Sequence, residues 1–163
     1  MSNSMVENQT EQVSAFLEEV IAVMTNYVNY HSLPSLLKEA PTGDKNYYEG
    51  LLAAVRRLLV FCEEGLDACL ILLNSQPFRK TAAEKTLYKI YHQVIAEFFS
   101  PKNDQWYENS RSAYTGKNSI VFQRTPPSSM VKVMKELEGK FQTMREELEY
   151  YETDYQTKML HKY

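Results

Sequence analysis

Several things are scarce in this chain. Of its 163 residues, 2 are Cys, 5 Gly and 6 Pro. Two cysteines cannot staple a small secreted scaffold. So few Gly and Pro exclude a collagen-like or low-complexity chain. The longest apolar stretch, Leu66 to Leu73, is interrupted by Asp67 and falls far short of the ~20 residues that cross a bilayer. The opening Met1-Ser2-Asn3-Ser4, followed by Glu7 and Glu11, has neither the basic start nor the apolar run of a secretory signal. These absences point to a cytoplasmic protein with free thiols and no membrane partner. The length predicts a single helical domain over 1–163, large enough to hold its core without staples.

Chemistry-bearing motifs are scarce too. No Gly-x-Ser-x-Gly is present. Thr115-Gly116-Lys117-Asn118 looks superficially like a phosphate loop, but Arg111 and Asn118 stand where such a loop needs Gly and Ser or Thr. No Glu-x-x-His pair of a di-iron bundle occurs. Cys62 and Cys69, two helical turns apart, would have Cα atoms roughly 10.5 Å apart, beyond the ~7 Å reach of a disulfide. They read as core thiols. The expectation is therefore no catalytic residue, no metal and no cofactor.

What the chain has is helical period. Val13, Phe16, Leu17, Val20, Ile21, Met24, Tyr27 and Val28 form one stripe, with Asn8 and Glu11 at capping-box spacing. Tyr48, Leu51, Leu52, Val55, Leu58, Leu59, Cys62, Leu66, Cys69 and Leu73 form a second, headed by Asn46 and Glu49. A side line of Ala54, Phe61, Ala68 and Leu72 widens it, so this helix should be touched from more than one side. A third helix follows the box Thr81-Ala82-Ala83-Glu84 and stops at Ser100-Pro101. The last begins near Thr125-Pro126, and Met130, Val133, Leu137, Phe141, Met144, Leu148, Tyr151 and Tyr155 follow a nearly heptad seam. Continued to Met159, it would run on the order of 50 Å and project past its neighbours. The fold class is all-α: a bundle of four long helices. Residues 100–125 make a long basic and aromatic connection, partly ordered, with a short strand within Ser119–Gln123, and 156–163 read as a tail that frays.

The formal charge is −3, unevenly spread. Residues 76–125 hold 8 basic and 4 acidic side chains, the one segment with a positive surplus. Arg79, Lys80, Lys102, Arg111, Lys117 and Arg124 lie there, with Trp106, Tyr107 and Tyr114 as flat faces and Gly116 to ease backbone approach. Such a set can hold a phosphate and stack a base, which makes an anion, nucleotide or nucleic-acid site one reading. In the other, the same cations pair with the acidic second helix and fix the loop.

Glu146-Glu147-Leu148-Glu149-Tyr150-Tyr151-Glu152-Thr153-Asp154-Tyr155 is acidic and tyrosine-rich. On a projecting helix end, Tyr150, Tyr151 and Tyr155 would dock a protein partner or a second copy of the chain. This non-enzymatic, protein-binding reading leads. A third reading is an enzyme with a dispersed acid–base site around His92, Glu63 and Asp67, valid if the three side chains share a cleft.

Several stretches carry a family likeness. Val60-Phe61-Cys62-Glu63-Glu64-Gly65-Leu66-Asp67-Ala68-Cys69, Pro77-Phe78-Arg79-Lys80-Thr81-Ala82-Ala83-Glu84-Lys85-Thr86-Leu87-Tyr88 and Phe98-Phe99-Ser100-Pro101-Lys102-Asn103-Asp104 are three of them. Ser110-Arg111-Ser112-Ala113-Tyr114-Thr115-Gly116-Lys117-Asn118-Ser119 and Arg145 to Tyr155 are the others. They resemble the YpuI-like family of uncharacterised bacterial proteins, from the second helix onward. The resemblance implies a cytoplasmic protein of a Gram-positive, spore-former-like lineage and assigns no activity, ligand or site residue.

Overall fold

The structure, a computed structural model, describes residues 1–109 and 118–161. α1 (Asn3–Tyr30) starts six residues, nearly two turns, earlier than the sequence suggests, because the Ser2 side chain accepts from Met5 N. Val6, fully buried, extends the stripe backward. A short α2 (Leu33–Glu39) has Ser32 as its cap and Pro34 in its first turn, where a missing N–H is harmless. α3 (Lys45–Leu73) is capped by Asp44, whose carboxylate accepts from Tyr47 N, so Asn46 is already inside the helix.

α4 (Lys80–Ile90) passes without a break through a π-helical turn (Tyr91–Ile95) into α5 (Ala96–Phe99). The box at Thr81 does not form. Arg79 stands at the cap position with no side-chain bond, and Glu84 turns into the core. The following connection holds a small antiparallel pair, β1 (Trp106–Glu108) and β2 (Ile120–Phe122), in the register Trp106–Phe122. The strand within Ser119–Gln123 is there, and its partner at Trp106 was not read from the sequence.

α6 (Ser128–Glu147) is shorter than expected. It ends at Leu148, gives way to a 3-10 turn (Glu149–Tyr151), and the chain finishes in α7 (Asp154–Leu160). The helix does not run straight to Met159 because Glu146, Glu147 and Glu149 crowd acidic charge onto its C-terminal end, where the helix dipole opposes it. The turn also carries Tyr151 into the core, where its hydroxyl donates to Gln9 Oε1 at 3.3 Å.

The four long helices α1, α3, α4–α5 and α6 form the expected all-α bundle. Their buried apolar side chains belong to one cluster. α1 and α6 run antiparallel: Gln9 reaches Glu147, Phe16 meets Phe141 edge-on at 5.0 Å, Glu19 pairs with Lys140 at 3.1 Å and Tyr27 meets Ser129 at 3.1 Å. α3 is touched on two sides, as its wide stripe requires. At Gly65 an added Cβ would lie 3.3 Å from Ile90 of α4 and 3.4 Å from Leu17 of α1. Among the described residues no helix is long and apolar enough to cross a membrane.

Candidate functional sites: two grooves on the bundle

The larger groove lies along the antiparallel pair α1 and α6 and has a volume of about 1050 Å³. Ala22, Val23, Val131 and Val133 give it apolar walls, and Lys132, Lys135 and Glu136 edge it. Glu39, at the tip of α2, lines one end of it. The Glu39 carboxylate accepts from Ser128 Oγ (2.9 Å), Ser129 N (2.8 Å) and Ser129 Oγ (2.8 Å). Pro127, at the cap position of α6, has no side-chain bond to offer, so a carboxylate from another helix satisfies the orphan donors there.

Tyr27 OH lies 3.1 Å from Ser129 Oγ, and the His31 ring stacks on the Tyr27 ring at 4.2 Å. His31 Nδ1 lies 2.9 Å from Tyr27 O. A carbonyl can only accept, so Nδ1 carries the proton. Burial pushes the Tyr27 phenol up to about 12. Burial also pulls Glu39 upward, but the donors from Ser129 and Ser128, with His31 nearby, outweigh it and hold the carboxyl below its usual range. A carboxylate so stabilised is a weak base, and His31 makes no hydrogen bond to Ser129. The cluster joins three helices and shapes the groove end; it does not activate a nucleophile.

The second groove, about 490 Å³, lies between α3 and the π-turn of α4. Arg57 and Phe61 come from α3, Tyr88, Lys89 and His92 from the α4 side, and Lys102 from just past α5. Glu97, buried, accepts from Arg57 Nε at 3.1 Å and from Lys102 N at 3.3 Å through the same oxygen. His92 Nε2–H donates to Tyr151 O at 2.8 Å. Neither Glu63 nor Asp67 lines this groove, so the structure does not assemble the acid–base set around His92 there. Among the described residues no group of three or more His, Cys, Asp or Glu side chains could hold a metal ion. Cys62 and Cys69 are free and buried on α3. Burial raises both thiols, Cys69 to about 12.

Among the described residues, the sequence-predicted anion residues are not brought into one site. Arg79 and Lys80 stand at the start of α4, and Lys102 lies past the end of α5. A helix of that span separates them by roughly 30 Å. Trp106 is 1 % exposed and its indole N–H donates to Phe98 O at 2.6 Å, so it anchors the hairpin and offers no face for stacking. Arg124 pairs with Asp44, the cap of α3, at 3.3 Å. Arg111, Tyr114, Gly116 and Lys117 lie outside the described residues. Among the described residues of that set, only Lys102 lines the basic groove. Its other cations, Arg57 and Lys89, were not singled out, because the sequence alone does not show α3 and α4 packing side by side.

The docking tyrosines are also relocated. Tyr151 is 0 % and Tyr155 6 % exposed, with ring centroids 5.5 Å apart, and Tyr88 lies 5.5 Å from Tyr155. Tyr150 packs on Tyr151 at 5.1 Å and is half-buried. Tyr150, Tyr151 and Tyr155 pack on the chain's own core. The hairpin is held to α6 by Arg145, which makes a two-pronged bond to Glu108 at 2.8 and 2.6 Å. The same guanidinium lies 3.6 Å from the centroid of the Phe99 ring.

Comparison with known proteins gives a family without an activity. A family model described as "Protein of unknown function (DUF3907)" matches residues 10–157. The "Uncharacterized protein YpuI" of Bacillus subtilis (strain 168) is 45 % identical over 152 residues, covering 93 % of this chain and 84 % of that protein. No solved structure matches the chain at a significant level.

Proposed function

We propose that this chain, which belongs to the family described as "Protein of unknown function (DUF3907)", acts by holding an apolar segment of a partner polypeptide in the α1–α6 groove. The observation that carries this reading is the groove itself: apolar walls between two antiparallel helices and a charged rim. Apolar floors with polar rims are the anatomy of protein contact sites, and a helical peptide laid between two helices is a common mode of recognition. The stretch of α1 from residue 22 to 31 is about 14 Å long, enough for two to three turns of a bound helix. Glu39 accepts from three donors, on both of its oxygens, so the groove end presents no unpaired carboxylate to an apolar guest. The setting that suits two free thiols is the cytoplasm.

The test is capture of the partner from native cells by the wild-type chain and by Val23→Glu and Val131→Glu. Both valines are half-buried in the groove, so the charge spoils the site without entering the core. Loss of the captured partner at unchanged melting temperature supports the reading; equal capture by both variants overturns it. Sedimentation at several concentrations decides whether the partner is a second copy.

A further inference from the structure

We propose that the groove between α3 and the π-turn of α4 is a binding site for a mononucleotide-class ligand, a phosphate ester carrying a flat ring. This is independent of the α1–α6 groove. Its volume of about 490 Å³ lies within the ~300–1,000 Å³ of small-molecule sites.

Charge selects the phosphate. Three permanent cations, Arg57, Lys89 and Lys102, line the groove against one carboxylate, Glu97, on a chain whose net charge is −3. Glu97 is buried and takes only Nε of Arg57. That bond orients the guanidinium and leaves its two Nη groups without a partner among the described residues. The ammonium groups of Lys89 and Lys102 likewise have no ion pair among the described residues. A planar guanidinium held at one edge is suited to receive phosphate oxygens on its remaining donors.

The rings select the flat part. Phe61 and Tyr88 line the groove and are half-buried, with Arg57 4.9 Å from the Phe61 centroid and His92 4.4 Å from Tyr88. Bases stack on such faces with little regard to which base it is. The hydrogen bond from Nε2 to Tyr151 O fixes the imidazole of His92. It leaves Nδ1 as a lone-pair acceptor for a ligand amino or hydroxyl group.

The backbone is built for the site as well. Ala96 N–H reaches back five residues to Tyr91 O, so this part of the helix holds an extra residue in one turn. Such π-turns are rare and are found frequently at functional sites. Here it lies where Tyr88, Lys89, His92 and Gln93 face α3 together. The groove's volume of about 490 Å³ suits one base and one phosphate rather than a strand.

The test is calorimetric titration of the full chain at low salt with AMP, GMP, CMP and UMP. Inorganic phosphate, the free nucleosides and a single-stranded oligothymidylate serve as the other arms. At least one mononucleotide should bind about tenfold or more tighter than phosphate or its own nucleoside. The double variant Lys89→Ala/Lys102→Ala should lose about tenfold or more of that affinity. Both lysines are exposed and their side chains bond nothing among the described residues, so the melting temperature should hold; Lys89→Glu alone serves as a second variant. Three results would overturn the proposal: no mononucleotide binding, binding that both variants leave intact, or phosphate binding as tightly as any nucleotide. Binding of the oligothymidylate alone would overturn it in favour of a nucleic-acid surface.

Discussion

At the scale of single residues, Glu39 does the most for its size. It lies outside α6 yet caps it, replacing a role that Pro127 cannot fill. Because its carboxyl is held below the usual range in the folded chain, the charged form favours folding. The contribution is complete above the unfolded-state value of ~4.3 and fades as pH falls through the lower folded value. Glu39→Gln should therefore cost about 1 kcal/mol at pH 7, as for a lost cap, and less in high salt because the side chain is exposed. The gap from wild type should close as the pH falls below about 4. Urea melts of the two proteins at pH 7 and in acid check this, and a gap that persists unchanged in acid would contradict it.

Elements show where sequence reasoning succeeds and where it stops. Apolar spacing located α1, α3, α4 and α6, since burial of one stripe leaves a period that survives any detail of packing. It also put Leu148, Tyr151 and Tyr155 on the inward side, and all three are buried. What spacing could not show was that the α-helix ends at Leu148, because a 3-10 turn and a new helix keep nearly the same inward rhythm. The π-turn was equally hidden, for one extra residue in a turn changes hydrogen bonding more than pattern. Caps shifted by a few residues where a second good cap stood nearby, Ser2 for Asn8 and Asp44 for Asn46.

Gly65 shows why α3 has a small residue at its centre. Gly65→Ala should be close to neutral, since the helix gains about 1 kcal/mol of propensity against a slightly tight contact with Ile90 and Leu17. Gly65→Leu should lose roughly 2–3 kcal/mol by overpacking both neighbours. Denaturant midpoints of the two variants measure the difference, and equal midpoints would refute the close three-helix contact.

At the scale of the whole molecule, neither groove could be read from the chain. Each is made by residues far apart in sequence: Val23 with Val131 in one, Arg57 with Lys89 in the other. The basic third of the chain pointed to cations but not to which of them would share a surface. Packing supplied that, by giving Trp106 and Arg145 to the hairpin anchor and Arg124 to Asp44. The acidic, tyrosine-rich end likewise packs its rings on the core, and the proposed contact falls to the apolar α1–α6 groove.

That contact is tested most directly by a photo-crosslinking residue placed at Ala22, exposed at the groove, and in a control chain at Ala53, exposed on α3. Irradiated in native cells, the Ala22 position should give an adduct of one defined mass that the Ala53 position does not, and adding Val131→Glu should abolish it. An adduct that survives Val131→Glu, or no adduct beyond the Ala53 background, would contradict the account.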